Sequence, residues 1–162
     1  MTRIEAYQPS DFAALVAFVE AIQEHERELV PELKPGPEVG KQYTEMLTRV
    51  VAERDGCIIV ARADADAVGF ACAWVDQDDD PLVRDDARIH AYVSDIFVDQ
   101  NWRRQGVASL LMDELEASMR SRGCSRIRVC SKAANQLAVA CYTAHGYRPY
   151  EIVFAKRLDD GG

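Results

Sequence analysis

The chain has 162 residues, of which 48% are apolar and 28% charged, and its formal net charge is −8. That length suits one hydrophobic core, so a single domain over residues 1–162 is expected. The acidic balance argues against a nucleic-acid backbone as partner, no run approaches the ~20 apolar residues that span a bilayer, and no apolar signal core opens the chain. A cytoplasmic protein that contacts neither nucleic acid nor membrane is expected.

Residues 2–7 alternate polar and apolar side chains and read as a first strand. Gln8-Pro9-Ser10-Asp11 opens a helix, with Pro9 suited to its first position and Asp11 to its positive end. Phe12, Leu15, Val16, Phe18, Val19 and Ile22 form the apolar stripe of that helix, and the charged end from Glu24 to Glu28 reads as a solvated face. Pro31, Pro35, Gly36 and Pro37 interrupt the chain before a second helix expected from about Lys41 to Glu53. Cys57–Ala61 and Val68–Val75 are nearly continuous apolar strands joined by an acidic turn, which predicts a hairpin covered on both faces. Asp76–Pro81 should be a loop, either solvated or a negative rim that gathers an ammonium ion.

The stretch from Val93 to Met112 carries the most chemistry. A β-branched run ending at Val98 meets a short polar turn, then Arg103-Arg104-Gln105-Gly106-Val107-Ala108, then a helix-patterned segment that Gly123 should end. The first turn of a helix has backbone N–H groups without intrahelical partners and a partial positive charge, so it favours an anion. Gly106 lets backbone approach a bulky phosphate, Ala108 keeps the next turn clear, and Arg103 with Arg104 adds positive charge. Arg126–Cys130 reads as a further strand, Ala133–Ala144 as a fourth helix and Tyr150–Leu158 as a last strand, with residues 159–162 expected to fray. The five cysteines, 57, 72, 124, 130 and 141, form no Cys-x-x-Cys pair, and His25, His90 and His145 have no metal-site spacing.

Arg103-x-x-Gly106-x-Ala108 after a strand resembles the pyrophosphate-binding motif of the GCN5-related N-acetyltransferase superfamily, Arg or Gln, x, x, Gly, x, Gly or Ala. A second resemblance follows in order, Asn135 through Tyr142 closing with Gly146-Tyr147. The departures are Ala108 for the more frequent Gly, Asn101-Trp102 for Pro-x-Tyr, and Tyr147 for Phe; none removes a backbone donor. The resemblance implies an α/β (α+β) fold in the order β-α-α-β-β-β-α-β-α-β, with a mostly antiparallel sheet of six to seven strands and about four helices. Its fourth and fifth strands, near Tyr92–Val98 and Arg126–Cys130, should splay to admit the pantetheine arm of acetyl-CoA.

The same resemblance implies acetyl-CoA as co-substrate, an amine acceptor, no metal, and by family habit a homodimer. Coenzyme contacts would come from Ile96, Phe97 and Val98, from Arg103, Arg104, Gln105, Gly106, Val107, Ala108 and Ser109, and from Asn135, which could equally be a helix cap. Tyr142 falls where the phenol lies beside the coenzyme sulfur and is the expected general acid. Asp95 is the first choice for general base, sharing a strand face with Val93 and Phe97 by simple alternation, with Tyr92, Ser94 and His90 as alternatives. Glu32, Lys34, Tyr43 and Met46 are candidate acceptor contacts. The expected activity is direct acetyl transfer to a primary amine in a ternary complex, a small cation being favoured. A protein or peptide amine, and a non-catalytic acyl-CoA sensor, are the alternatives.

Overall fold

Strands that follow one another in the sequence are neighbours in the sheet, and only the last pair is parallel. The computed structural model describes residues 1–158, and the fraying expected at 159–162 lies outside the described residues. Strands β1 (Thr2–Ala6), β2 (Cys57–Ala63), β3 (Asp66–Gln77) and β4 (Ile89–Val98) pair antiparallel in that order, and β5 (Ile127–Val129) adds parallel to β4. Helices α1 (Phe12–Leu29) and α2 (Gly36–Glu53) cover one face of the sheet. Helix α3 (Val107–Ser121) covers the other, and α4 (Gln136–Ala144) follows β5.

The apolar run of β2 and β3 is divided by strand alternation into two cores. Ile58, Val60, Phe70, Cys72 and Trp74 meet Leu15, Val19 and Leu47 of α1 and α2. Ile59, Ala61, Ala71 and Ala73 meet Val107, Leu111, Leu115 and Met119 of α3. The second helix begins five residues earlier than expected. Pro37 needs no N–H partner in a first turn, so Pro35-Gly36-Pro37 starts α2 rather than delaying it. A Cβ on Gly36 would lie 2.6 Å from the Glu20 carbonyl oxygen, so the glycine allows α1 and α2 to approach this closely.

Two features of β4 set the geometry at its C-terminal end. It pairs with β5 only at Ala91–Val93, so beyond Ser94 the two strands part, as expected for a splayed pair. Its register against β3 slips between Cys72 and Ala73: Val93 faces Ala73 and Asp95 faces Cys72, leaving Ser94 as the extra residue of a β-bulge. The bulge overturns the expected grouping of Val93 with Asp95 and Phe97. Val93 lies in the α3-side core, whereas Asp95 pairs with Cys72 and Phe97 packs in the α1/α2-side core.

The sheet has five strands among the described residues, fewer than the six to seven expected. The missing one is Tyr150–Leu158, which has strand-forming residues but pairs with nothing in the sheet. A strand exists through its ladder, and here the chain passes Pro149 without meeting one.

Candidate active site

The turn after β4 is built by Asp99, whose carboxylate accepts from the Asn101 amide at 2.9 Å and whose carbonyl accepts from the Trp102 amide at 2.9 Å. Arg104 (φ 60°) and Gly106 (φ 80°) are both left-handed, and this wraps the chain into α3. Leu110 makes the first α3 bond, its amide donating to the Gly106 carbonyl at 3.1 Å. The backbone N–H groups of Arg104 through Ser109 therefore stand ahead of the helical ladder, and none has an acceptor among the described residues. A Cβ on Gly106 would meet nothing within 4 Å, so open space lies before this row of donors. Val107 and Leu111, 1% and 0% exposed, anchor the helix beneath it. The arrangement suits a diphosphate: oriented N–H groups, a dipole end, room, and the exposed Arg103 and Arg104 beside it.

The bulge also decides which β4 backbone groups face the gap toward β5. The Asp99 amide bonds Val68 of β3 at 2.9 Å, so by alternation Phe97 faces β3 while Ile96 and Val98 face the gap. The Ala91 amide bonds Arg126 on the β5 side at 2.8 Å. One extra residue at Ser94 thus switches the gap-facing set from odd to even positions. Arg103 donates through Nε to the Val98 carbonyl at 3.0 Å, which leaves the Ile96 groups and the Val98 amide unclaimed along the gap. Phe97 contributes its ring, tilted 30° against that of Phe18 with centroids 4.9 Å apart, rather than its backbone.

At the inner end of the gap is a cleft of about 340 Å³, walled by Val19, Ile22, Gln23 and Glu26 of α1, Val39 and Tyr43 of α2, Ser94 and Asp95 of β4, and Cys130–Lys132 after β5. The Tyr43 hydroxyl donates to Asp95 Oδ2 at 3.0 Å. Burial pushes the Asp95 carboxyl up, the Ser94 and Tyr43 hydrogen bonds pull it back, the Glu26 charge raises it, and it stands at about 6. Burial and the Asp95 charge together push the Tyr43 phenol far above the ordinary 10, so it remains a donor.

Tyr142 on α4 belongs to the same environment. Burial first, then the charges on Cys141, Asp95 and Glu26, push its phenol up to about 12. It is therefore protonated at any working pH. Its ring lies 6.0 Å from that of Tyr147, which is tied to α3 through the Glu116 carboxylate at 3.0 Å. Asn135 caps α4, its side-chain oxygen accepting from the Ala138 amide at 3.2 Å. Its side-chain NH₂ stays without an acceptor among the described residues.

The other expected residues divide. Ser94 lines the cleft, with its hydroxyl toward the Cys72 carbonyl at 3.4 Å. Tyr92, its phenol pushed up to about 12 by burial, pairs with Trp74 at 5.3 Å and does not line the cleft. His90 is buried outside it, Nδ1 lying 3.1 Å from the Arg88 carbonyl. Among the acceptor candidates only Tyr43 lines the cleft; Met46 is core packing, and the Lys34 carbonyl accepts from Gln23. Two carboxylates of the expected acidic loop are paired with cations from other elements, Asp76 with Arg54 at 2.7 Å and Asp78 with Arg128 at 3.0 Å, and none of the loop lines the cleft. Glu26, expected on a solvated face, lines the cleft instead. It lies seven residues after Val19 and four after Ile22, on the buried stripe of α1, and that spacing was the available signal. No cluster of three or more His, Cys, Asp or Glu among the described residues is placed to hold a metal ion. No helix among them is long and apolar enough to cross a membrane.

An open anion-binding helix start, a parted strand pair and an acidic cleft on an α/β sheet define an acyltransferase-like scaffold, and sequence comparison agrees. The model of the Acetyltransferase (GNAT) family matches residues 18–147, and the chain belongs to that family. A search of curated protein sequences found no match. Among solved structures, the aminoglycoside N-acetyltransferase AAC(6')-Iy in complex with CoA is 19% identical, with TM-score 0.72, covering 98% of this chain and 95% of that one. The aminoglycoside 6'-N-acetyltransferase AAC(6')-Ih from Acinetobacter baumannii is 19% identical with TM-score 0.70, covering 99% and 100%. A predicted acetyltransferase with acetyl-CoA from Clostridium acetobutylicum is 16% identical with TM-score 0.73, covering 98% and 97%. At these identities the likeness is one of fold.

Proposed function

We propose that this protein transfers an acetyl group from acetyl-CoA to a primary amine of a small cationic acceptor, by direct attack within a ternary complex. Acetyl-CoA supplies an activated thioester. The N–H row of Arg104–Ser109 would hold its diphosphate, and the free groups of Ile96 and the Val98 amide would align its arm along the gap. Similar structures carry CoA or acetyl-CoA, which supports this assignment.

The reading rests on one observation: Asp95, turned onto the α1/α2 face by the bulge, lines the cleft at the end of that gap, and Tyr142 lies close enough for the charges of Asp95 and Glu26 to raise its phenol. An alkylammonium near the lysine value of ~10.4 must lose a proton before it can attack. Asp95, at about 6, accepts that proton, and Tyr43 holds the carboxylate in place. The amine nitrogen then bonds to the acetyl carbon, the carbon–sulfur bond breaks, Tyr142 gives its proton to the departing thiolate, and the extra proton on the new amide nitrogen passes to the tyrosinate and restores it, while Asp95 releases its own proton to solvent. Two carboxylates against Lys132 leave the cleft net negative, and Glu26 sits where it can draw in the ammonium. A volume of about 340 Å³ fits a small molecule better than a folded protein surface.

Mass spectrometry of a panel of polyamines, amino sugars, aminoglycosides and lysine peptides with acetyl-CoA tests this. The expected result is a gain of one acetyl group on a small cation, faster than on any peptide. Binding of CoA with no acetylation of any amine would instead favour a sensor.

A further inference from the structure

Helix α4 carries Tyr142, yet it has little of its own to hold it in place. Its nine residues are too few for a helix to persist alone in water, and none of them is buried. Ala138, Cys141 and Tyr142 form a half-buried face, while Leu137 and Val139 are exposed. Burial of an apolar stripe therefore does not fix this helix as it fixes α3.

The fixing is done at the C-terminal end. His145 caps the helix, Gly146 turns left-handed at φ 90°, and the Tyr147 amide returns to the Tyr142 carbonyl at 3.0 Å. That bond closes a Schellman turn, so Tyr147 is locked to the backbone of Tyr142 itself. The two rings also pack, 6.0 Å apart and tilted by 50°. The Tyr147 hydroxyl then donates to Glu116 Oε1 of α3 at 3.0 Å. Burial and the Glu116 charge hold that phenol above its ordinary range, so it stays a donor. His145 adds a weaker tie, its Nε2 3.1 Å from Asp113 Oδ1, because the Asp113 side chain is 69% exposed and water screens it. The hydroxyl that makes the main tie is one of this chain's departures from the family motif, which usually has Phe at that place.

Glu116 is itself held firmly. It is half-buried, and the buried Leu115 and Met119 anchor α3 on either side of it. It lies about 15 Å along the α3 axis from Gly106, at ~1.5 Å per residue. One helix thus presents the donor row at its start and, through Tyr147, grips the helix of the proton donor further along.

We infer that Glu116 is a positioning residue for the transfer, fixing Tyr142 beside the thioester by way of the Tyr147 hydroxyl. The inference rests on the proposed role of Tyr142 as proton donor.

Tyr147→Phe keeps the ring and deletes the tie, Glu116→Ala deletes its other end, and Glu116→Gln leaves an oxygen that can still accept. Initial rates are measured with acetyl-CoA and the fastest amine of the polyamine, amino-sugar and aminoglycoside panel. The first two variants should lose about 10-fold in kcat with KM for acetyl-CoA within about threefold of wild type, and Glu116→Gln should keep most of the rate. In a Tyr142→Phe background, adding Tyr147→Phe should change kcat less than about twofold, because no proton donor remains to be positioned. Hydrogen exchange reads the tie without the chemistry: amides of residues 139–147 should exchange about tenfold faster in Tyr147→Phe, with α3 and the sheet unchanged. Full kcat in Tyr147→Phe and Glu116→Ala, or a loss undiminished in the Tyr142→Phe background, would overturn the inference. Unchanged exchange in Tyr147→Phe would overturn it too, while leaving the acid role standing. Full rate in Tyr142→Phe would overturn the acid role, and the inference would fall with it.

Discussion

Replacing Asp95 by Asn should make the protein more stable and much less active. The carboxyl stands at about 6 against 3.8 for a free aspartate, so at neutral pH folding holds an ionised group that burial disfavours by roughly 3 kcal/mol. The sign follows from the two values. As pH rises from about 4 to 6 the unfolded chain has released this proton and the folded chain has not, so stability is lost across that window and stays lost above it. The replacement amide carries no charge, and its oxygen can still accept the bond from Tyr43. The melting temperature of Asp95→Asn should match that of the wild type near pH 4 and exceed it by roughly 5–10 °C at pH 7.5. The acetylation rate should fall about 10²–10⁴-fold, as expected for loss of a general base. Scanning fluorimetry from pH 4 to 8 and steady-state kinetics measure both. An Asn variant that melts at or below the wild type at pH 7.5, or retains full rate, would refute the reasoning.

Tyr43→Phe removes a hydrogen bond that pulls the Asp95 carboxyl down, so the acid limb of kcat/KM should move up by about one pH unit; an unmoved limb would show that Asp95 does not govern it. Tyr142→Phe should lower kcat about 10²-fold or more while KM for acetyl-CoA changes little, since the phenol acts on the leaving thiolate; initial-rate kinetics read the split. Gly106→Val places a β-branched residue at φ 80°, with its side chain in the space before the donor row, and should raise KM for acetyl-CoA at least tenfold, with a far smaller effect from Ser109→Ala.

The parts of this fold written in local patterns were legible in the sequence. Gly106 after two arginines marked the start of α3, and the stripes of Leu15 and Val19 and of Leu111, Leu115 and Met119 marked the two helical layers. The parting of β4 from β5 came from the family resemblance, and the pairing of only Ala91–Val93 agrees with it. What failed depended on pairing between distant segments. A period-two reading of Val93-Ser94-Asp95 cannot register a bulge, because the extra residue is defined only against Cys72 and Ala73 of the partner strand. Tyr150–Leu158 had strand composition, but composition does not supply a neighbour. Pro37 resembles an interruption because a proline that opens a helix and one that breaks it look alike until the first turn is seen. Glu26 looks solvated because its charge outweighs its place on the α1 stripe.

The central claim is geometric: a coenzyme held at the start of α3 delivers its sulfur to the mouth of the cleft that Asp95 lines, beside Tyr142. A crystal structure of the protein with CoA tests this directly. It should show the diphosphate on the amides of Arg104–Ser109, the arm along Ile96 and Val98, and the sulfur within roughly 3.5 Å of the Tyr142 hydroxyl. A diphosphate bound elsewhere, or a sulfur that never enters the cleft, would contradict it.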